Sequence, residues 1–201
     1  MAEEHKTKRR RVGKDGILSA TRQLASEEGW RAVSVRKIAD RIGYRAPVVY
    51  EYFTSKDDLL LELLRRGFAE LLEALETARE NAPDPEQALF AVGRAYLRFA
   101  WHSPDLYQVM YGLGGVSFPV SETWEEGEKV GEAVGGVVAE AMSACGKEPR
   151  DVEEKVLTLW STAHGLVALT MAGRIEGGKE EAERLGERAI RDALVTWSAT
   201  S

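Results

Sequence analysis

Cys145 is the only cysteine in this chain of 201 residues, so no intrachain disulfide framework holds it together. No segment alternates polar and apolar residues with period two between turn signals, which leaves no strand candidate. The uncharged apolar runs fall well short of the ~20 residues that span a bilayer. The N-terminus is polar and basic and offers no apolar segment of a secretory signal. The three histidines, His5, His102 and His164, lack any metal-site spacing. Nucleophile–base pairs, phosphate loops and metal clusters are also missing, so neither an enzyme nor a cofactor is expected. Internal repeats and low-complexity tracts are absent. What is present, 44% apolar and 30% charged residues, describes an ordinary globular chain able to bury a sizeable core. The cytoplasm is its expected setting.

The net charge of −6 conceals an asymmetry. Residues 1–56 hold 13 lysines and arginines against 7 aspartates and glutamates, whereas residues 57–201 hold 14 against 26. A basic head on an acidic body points to nucleic acid as the partner of the head. The acidic body would repel phosphates and so help to orient the head on a duplex.

Periodicity makes the chain all-α. Residues 1–12, with Lys6, Lys8, Arg9, Arg10 and Arg11, form a basic arm expected to be disordered. A first helix spans about residues 13–28, with Ile17, Leu18, Leu24 and Ala25 inward and Gly29 at its end. Ser34 then caps a short helix whose inner face is Val35, Ile38, Ala39 and Ile42. Gly43 turns the chain, Val48, Val49, Tyr52 and Phe53 give the next apolar face, and a further helix opens at Lys56. That is the pattern of a helix-turn-helix, whose second helix enters the DNA major groove. A long helix follows to about residue 81, and Pro83-Asp84-Pro85 breaks it. Further helices are expected at about residues 85–102, 120–144, 150–175 and 179–198, with a short one around Leu106–Tyr111 and a loop at 112–119. Gly127, Gly131 and Gly135 share one face of their helix, which suits either a closely packed helix pair or a kink.

Ile38, Ala39, Gly43, Tyr50, Phe53, Lys56 and Leu59 carry a resemblance to the TetR-type (TetR/AcrR) regulators, whose signature runs Ile-Ala-x3-Gly-x6-Tyr-x2-Phe-x2-Lys-x2-Leu. Every spacing is kept, and the likeness covers residues 13–65. A second, shorter likeness lies in Leu159-Trp160-Ser-Thr-Ala-His164-Gly165-Leu166 and in His102-Ser-Pro104-Asp105-Leu106-Tyr107. Both segments are similar to a Trp-His-Gly subgroup of the family's ligand domains. The resemblance implies an N-terminal three-helix DNA-binding domain over 13–56 and a C-terminal helical effector-binding and dimerisation domain over 57–201.

Tyr50 and Lys56 match positions that in the family contact the phosphate backbone; the plain alternatives are core packing for Tyr50 and a solvated charge for Lys56. Ser34, Arg36, Lys37 and the arm residues Arg10 and Arg11 are further phosphate or minor-groove candidates. Arg45 opens the recognition helix and can bond guanine O6 and N7 together. Here the chain departs from the family, which usually opens that helix with Ser or Thr. Ala46, Pro47 and Val48 can offer only apolar contact, so direct base readout is expected to be sparse, with DNA shape supplying the rest.

In the body, Phe68, Tyr96, Phe99, His102, Tyr107, Met110, Trp124, Trp160 and His164 are candidates to line a pocket for a small hydrophobic or aromatic effector, though aromatics at helical spacing also serve as plain core. The family resemblance implies a homodimer through the last two helices, and hence a palindromic double-stranded operator. The expected function is a repressor released by its effector, with an activator of the same family or an effector-independent architectural protein as alternatives. No membrane role is expected.

Overall fold

Gly29 stops the first helix where the apolar periodicity stops, at φ +80. In a computed structural model, which describes residues 13–116 and 124–199 with the side chain of Trp124 excepted, each regular element is helical. The head contains α1 (Lys14–Glu28), a 3-10 turn at Trp30–Ala32, α2 (Val35–Ile42) and α3 (Ala46–Tyr50). The body contains α4 (Lys56–Glu80), α5 (Pro85–His102), α6 (Pro104–Met110), a 3-10 turn at Leu113–Gly115, α7 (Trp124–Ala144), α8 (Val152–Met171) and α9 (Gly178–Ala199). The basic arm lies outside the described residues.

Local chemistry sets the helix ends. The Ser34 hydroxyl accepts from the Lys37 amide at 3.3 Å and opens α2. Gly43 closes it in the left-handed conformation, φ +73. The Gly43 amide bonds the Asp40 carbonyl at 3.1 Å and the Tyr44 amide bonds that of Ala39 at 2.9 Å. Ser55 caps α4 through the Asp58 amide at 3.0 Å, and the Asp58 carboxylate accepts from the Thr54 amide at 2.8 Å, a reciprocal pair of caps. Asp84 caps α5, with Pro85 at the first helical position.

Packing follows from the apolar faces. Leu59, Leu63, Leu64 and Leu71 of α4 are fully buried, and this helix lies against α5, α6 and α7. A Cβ on Gly67 would stand 2.5 Å from Sδ of Met110, so the glycine lets α4 and α6 meet. α5 and α9 run antiparallel along a polar seam. Arg191 lies over Phe90, Arg94 pairs with Glu187 at 3.1 Å, Arg98 with Glu183 at 3.8 Å, and Lys179 lies over Trp101. These contacts are exposed or half-exposed, each worth about 0–1 kcal/mol, so they set register more than they stabilise.

Several extents differ from the sequence expectation. α8 stops at Met171, because Gly173 adopts φ +65 and the Arg174 amide returns to the Leu169 carbonyl at 2.8 Å. The expected loop after α6 holds the 3-10 turn at Leu113–Gly115. The glycine face of α7 is no tight helix seam. A Cβ on Gly127 or Gly131 would meet nothing within 4 Å, and one on Gly135 only ordinary contacts with Val152 and Val156.

Candidate nucleic-acid interface and the core behind it

α3 is short and is held from one side. Val49 is 1% exposed and Phe53 just beyond it 2%, so both anchor in the head core. With Val49 inward, Arg45, Pro47 and Tyr50 face solvent, and Tyr50 is 54% exposed. Ala46 and Val48 are half-buried. Arg45 is the residue before the first helical turn, extended at φ −97 and ψ 156. Lys56 begins the first turn of α4, close in sequence to Tyr50.

The cations of α2 divide into two sets. Lys37 Nζ lies 2.6 Å from a Glu28 oxygen, and Arg41 grips Glu27 with two bonds of 2.7 and 2.6 Å. The Arg41 hydrogen bond holds the Glu27 carboxyl below its ordinary range. Arg36, Arg45 and Lys56 make no ion pair with any described carboxylate. Ser34 spends its hydroxyl on the α2 cap. The sequence reading did not foresee the pairs on Glu27 and Glu28; the acidic end of α1, against a basic α2, was the signal. Arg10 and Arg11 lie outside the described residues.

The head meets the body at α6. Arg22 of α1 donates to both Asp105 oxygens, at 2.5 and 3.3 Å. The buried Trp30 indole donates to the Asp105 carbonyl at 3.1 Å. Burial disfavours the charge on Arg22, but the hydrogen bond and charge of Asp105 outweigh it and raise the guanidinium pKa. Beside this contact runs a polar crevice of about 390 Å³, lined by Asp15, Ser19, Arg22, Arg66, Glu70 and Asp105 among others.

Behind α6 the aromatic residues form a hydrogen-bonded network. The Trp160 indole donates to the Tyr96 hydroxyl at 3.0 Å. Tyr96 and Tyr107 hydroxyls lie 2.9 Å apart, and Tyr107 lies 2.7 Å from Nδ1 of His164. Trp160 can only donate, so the Tyr96 oxygen accepts from it. Burial raises the pKa of all three tyrosines, so the phenols stay protonated. Burial lowers the pKa of His164, which favours the neutral imidazole. Phe68 meets Tyr111 edge-on at 5.7 Å.

The structure brings Phe68, Tyr96, Tyr107, Trp160 and His164 together, with Met110 packed under Gly67. It also brings in Tyr111, one turn beyond Tyr107. Phe99 and His102 line a different feature, an alanine-floored surface groove of about 590 Å³ between α4 and α5. There His102 is exposed and bonds the Arg98 carbonyl at 2.8 Å. Trp124 lies where no side chain is described.

Two family models match this chain. Residues 17–63 match "Bacterial regulatory proteins, tetR family", and residues 89–193 match "Tetracyclin repressor-like, C-terminal domain". The chain belongs to the TetR family. Among its TetR-family relatives, the transcriptional activator FasR of Mycolicibacterium smegmatis is 30% identical over 51% of this chain and 47% of its own length. The transcriptional repressor KstR of the same species is 32% identical over 63% and 61%. The matches therefore span about half to three fifths of those two proteins. Solved structures share the fold. The TetR-family regulator PfmR of Thermus thermophilus superposes with a TM-score of 0.69 at 20% identity over 87% of this chain and 97% of that one. The fatty acid degradation regulator FadR of Bacillus halodurans gives 0.74 at 17% over 90% and 97%. Among the described residues, no helix of this TetR-family chain is long and apolar enough to cross a membrane.

Proposed function

We propose that this TetR-family protein is a homodimeric repressor that binds a palindromic double-stranded operator and leaves it when a small hydrophobic or aromatic effector enters the body. The outward face of α3 carries the reading: Arg45, Pro47 and Tyr50 project from a helix locked by Val49 and Phe53, with Arg36 and Lys56 free to meet phosphates. Arg45 reads a base edge, and Tyr50, Lys56, Arg36 and Ser34 serve the backbone, with Arg10 and Arg11 of the arm beside them and Lys37 joining them when it leaves Glu28. The self-partner reading rests on α8 and α9, where Leu157, Trp160, Leu169 and Val195 are 40–65% exposed, large apolar groups that a second copy would cover. The effector reading rests on the Tyr96–Tyr107–His164 network with Phe68, Met110 and Trp160, an aromatic core with a few polar tips. KstR is named a repressor and FasR an activator, so activation is the second reading.

Selection from a random double-stranded DNA pool at near-physiological salt tests the first part. Recovery of a two-fold symmetric motif, with sedimentation showing a dimer, supports the proposal. Recovery of no motif by a folded dimer would replace it with an architectural role. Placing the recovered operator before a reporter separates repression from activation.

A further inference from the structure

We propose that Asp105 is a positioning residue that fixes the angle of the DNA-reading head on the body, and through it the operator spacing that a dimer accepts. The inference rests on the dimeric DNA-binding reading above.

The head is tied to the body in two ways. α4 is one continuous helix whose first turns belong to the head. Its cross-links to α1, namely Lys14–Glu62, Arg66–Asp15 and Arg22–Glu70, all involve at least one strongly exposed partner, and they travel with α4. Nothing in them resists a swing of α1 and α4 together against the other body helices. Apart from the packing of α4 on its neighbours, α6 is the body element set against α1. Asp105, whose side chain is only 11% exposed, places its carboxylate on Arg22 and its carbonyl on the Trp30 indole. One residue thus holds both α1 and the turn that leads into α2.

The fit around this contact is close. A Cβ on Gly115 would stand 2.7 Å from Nε of Arg31, and one on Gly114 would stand 3.4 Å from the Trp30 ring. The chain after α6 therefore hugs the turn before the helix-turn-helix. Two residues past Asp105, on the opposite side of α6, Tyr107 is fixed into the body by His164. α6 is consequently braced behind and latched in front. If the head swings away, Trp30 keeps a buried indole N–H with no acceptor and Asp105 keeps a carboxylate with no cation, so the joint favours one angle.

The test uses the full chain and operators recovered by selection, with half-sites at the natural spacing and with one or two base pairs added or removed. Asp105→Asn keeps the side-chain volume and the carbonyl bond to Trp30 but removes the charge that holds Arg22. Arg22→Lys, which keeps charge and loses the two-pronged grip, is the second variant should Asp105→Asn fold poorly. The expected result is a wild-type preference for one spacing that falls by about threefold or more in either variant, while affinity for an isolated half-site stays unchanged. A residue that only stabilised the fold would lower the melting temperature and leave the spacing profile as it was; that outcome overturns the proposal. A wild-type dimer bound equally at all spacings overturns the latch. A wild-type chain that binds no operator overturns the DNA-binding reading beneath it.

Discussion

The Tyr107 hydroxyl lies 2.7 Å from Nδ1 of His164, an imidazole that takes up a proton as pH falls. Burial lowers the His164 pKa from its ordinary 6.5. As pH falls from 6.5, the unfolded chain therefore takes up this proton before the folded one does. The stability present above pH 6.5 is lost as pH falls toward the lowered folded value. Urea unfolding across this range should show wild-type stability declining more steeply than that of His164→Gln. The lowered carboxylates, Glu27, Glu62 and Glu181, start from 4.5 and act only at more acid pH. Parallel curves for the two proteins would show that His164 does not titrate differently on folding.

Tyr107→Phe probes the same bond from its other end. Tyr107 is fully buried, and removing its hydroxyl leaves both Tyr96 and His164 short of a partner. A buried polar group left unpaired costs about 1–3 kcal/mol, so the variant should lose roughly that much in chemical denaturation at pH 7.5. A loss under about 0.5 kcal/mol would mean that water repairs the gap.

Much of the fold was legible because its signals are local. Ser34 and Gly43 mark their helix ends through bonds to residues three or four positions away. The aromatic network was legible only as composition. Direction around the helix separates its members: His102 stands six residues after Tyr96, roughly 240° round α5, and so faces the α4–α5 groove rather than the core. The glycine face of α7 misled because a repeat of small residues shows that close approach is permitted, not that a neighbour uses it. The Arg22–Asp105 contact was out of reach altogether. Its partners are 83 residues apart and no spacing rule joins them.

Gly67 gives a prediction about the α4–α6 crossing. Alanine favours a helix over glycine by about 1 kcal/mol, but its Cβ would stand 2.5 Å from Sδ of Met110. Overpacking in a filled core costs about 1–3 kcal/mol, so Gly67→Ala should be neutral to destabilising in the wild-type background. With Met110→Ala the obstruction is gone, and the same substitution should recover its helix gain. A double-mutant cycle should therefore show a coupling of about 1 kcal/mol or more. Additive effects would place the crossing farther from Gly67.

Glu28 holds Lys37 at 2.6 Å, on the surface where Arg36 is unpaired among the described residues. Glu28→Gln should release Lys37 for a phosphate. Operator affinity should rise at low salt, and the slope of log K against log salt should steepen by about 0.9. An unchanged slope would keep Lys37 off the DNA.

Arg45 carries the sharpest prediction about sequence. It projects beside Ala46, Pro47 and Val48, none of which can offer a side-chain hydrogen bond to a base. If Arg45 grips guanine O6 and N7, Arg45→Ala should cost about 1–3 kcal/mol on the selected operator. The loss should be confined to one base pair per half-site. There the variant should tolerate every base, while preferences at the other positions persist. Tyr50→Phe, at a residue 54% exposed, should behave differently, weakening all sequences alike because a phosphate contact carries no base information. Selection repeated with each variant distinguishes the two. If Arg45→Ala weakens every sequence equally, Arg45 is a backbone contact, and specificity must come from methyl contacts and the shape of the duplex.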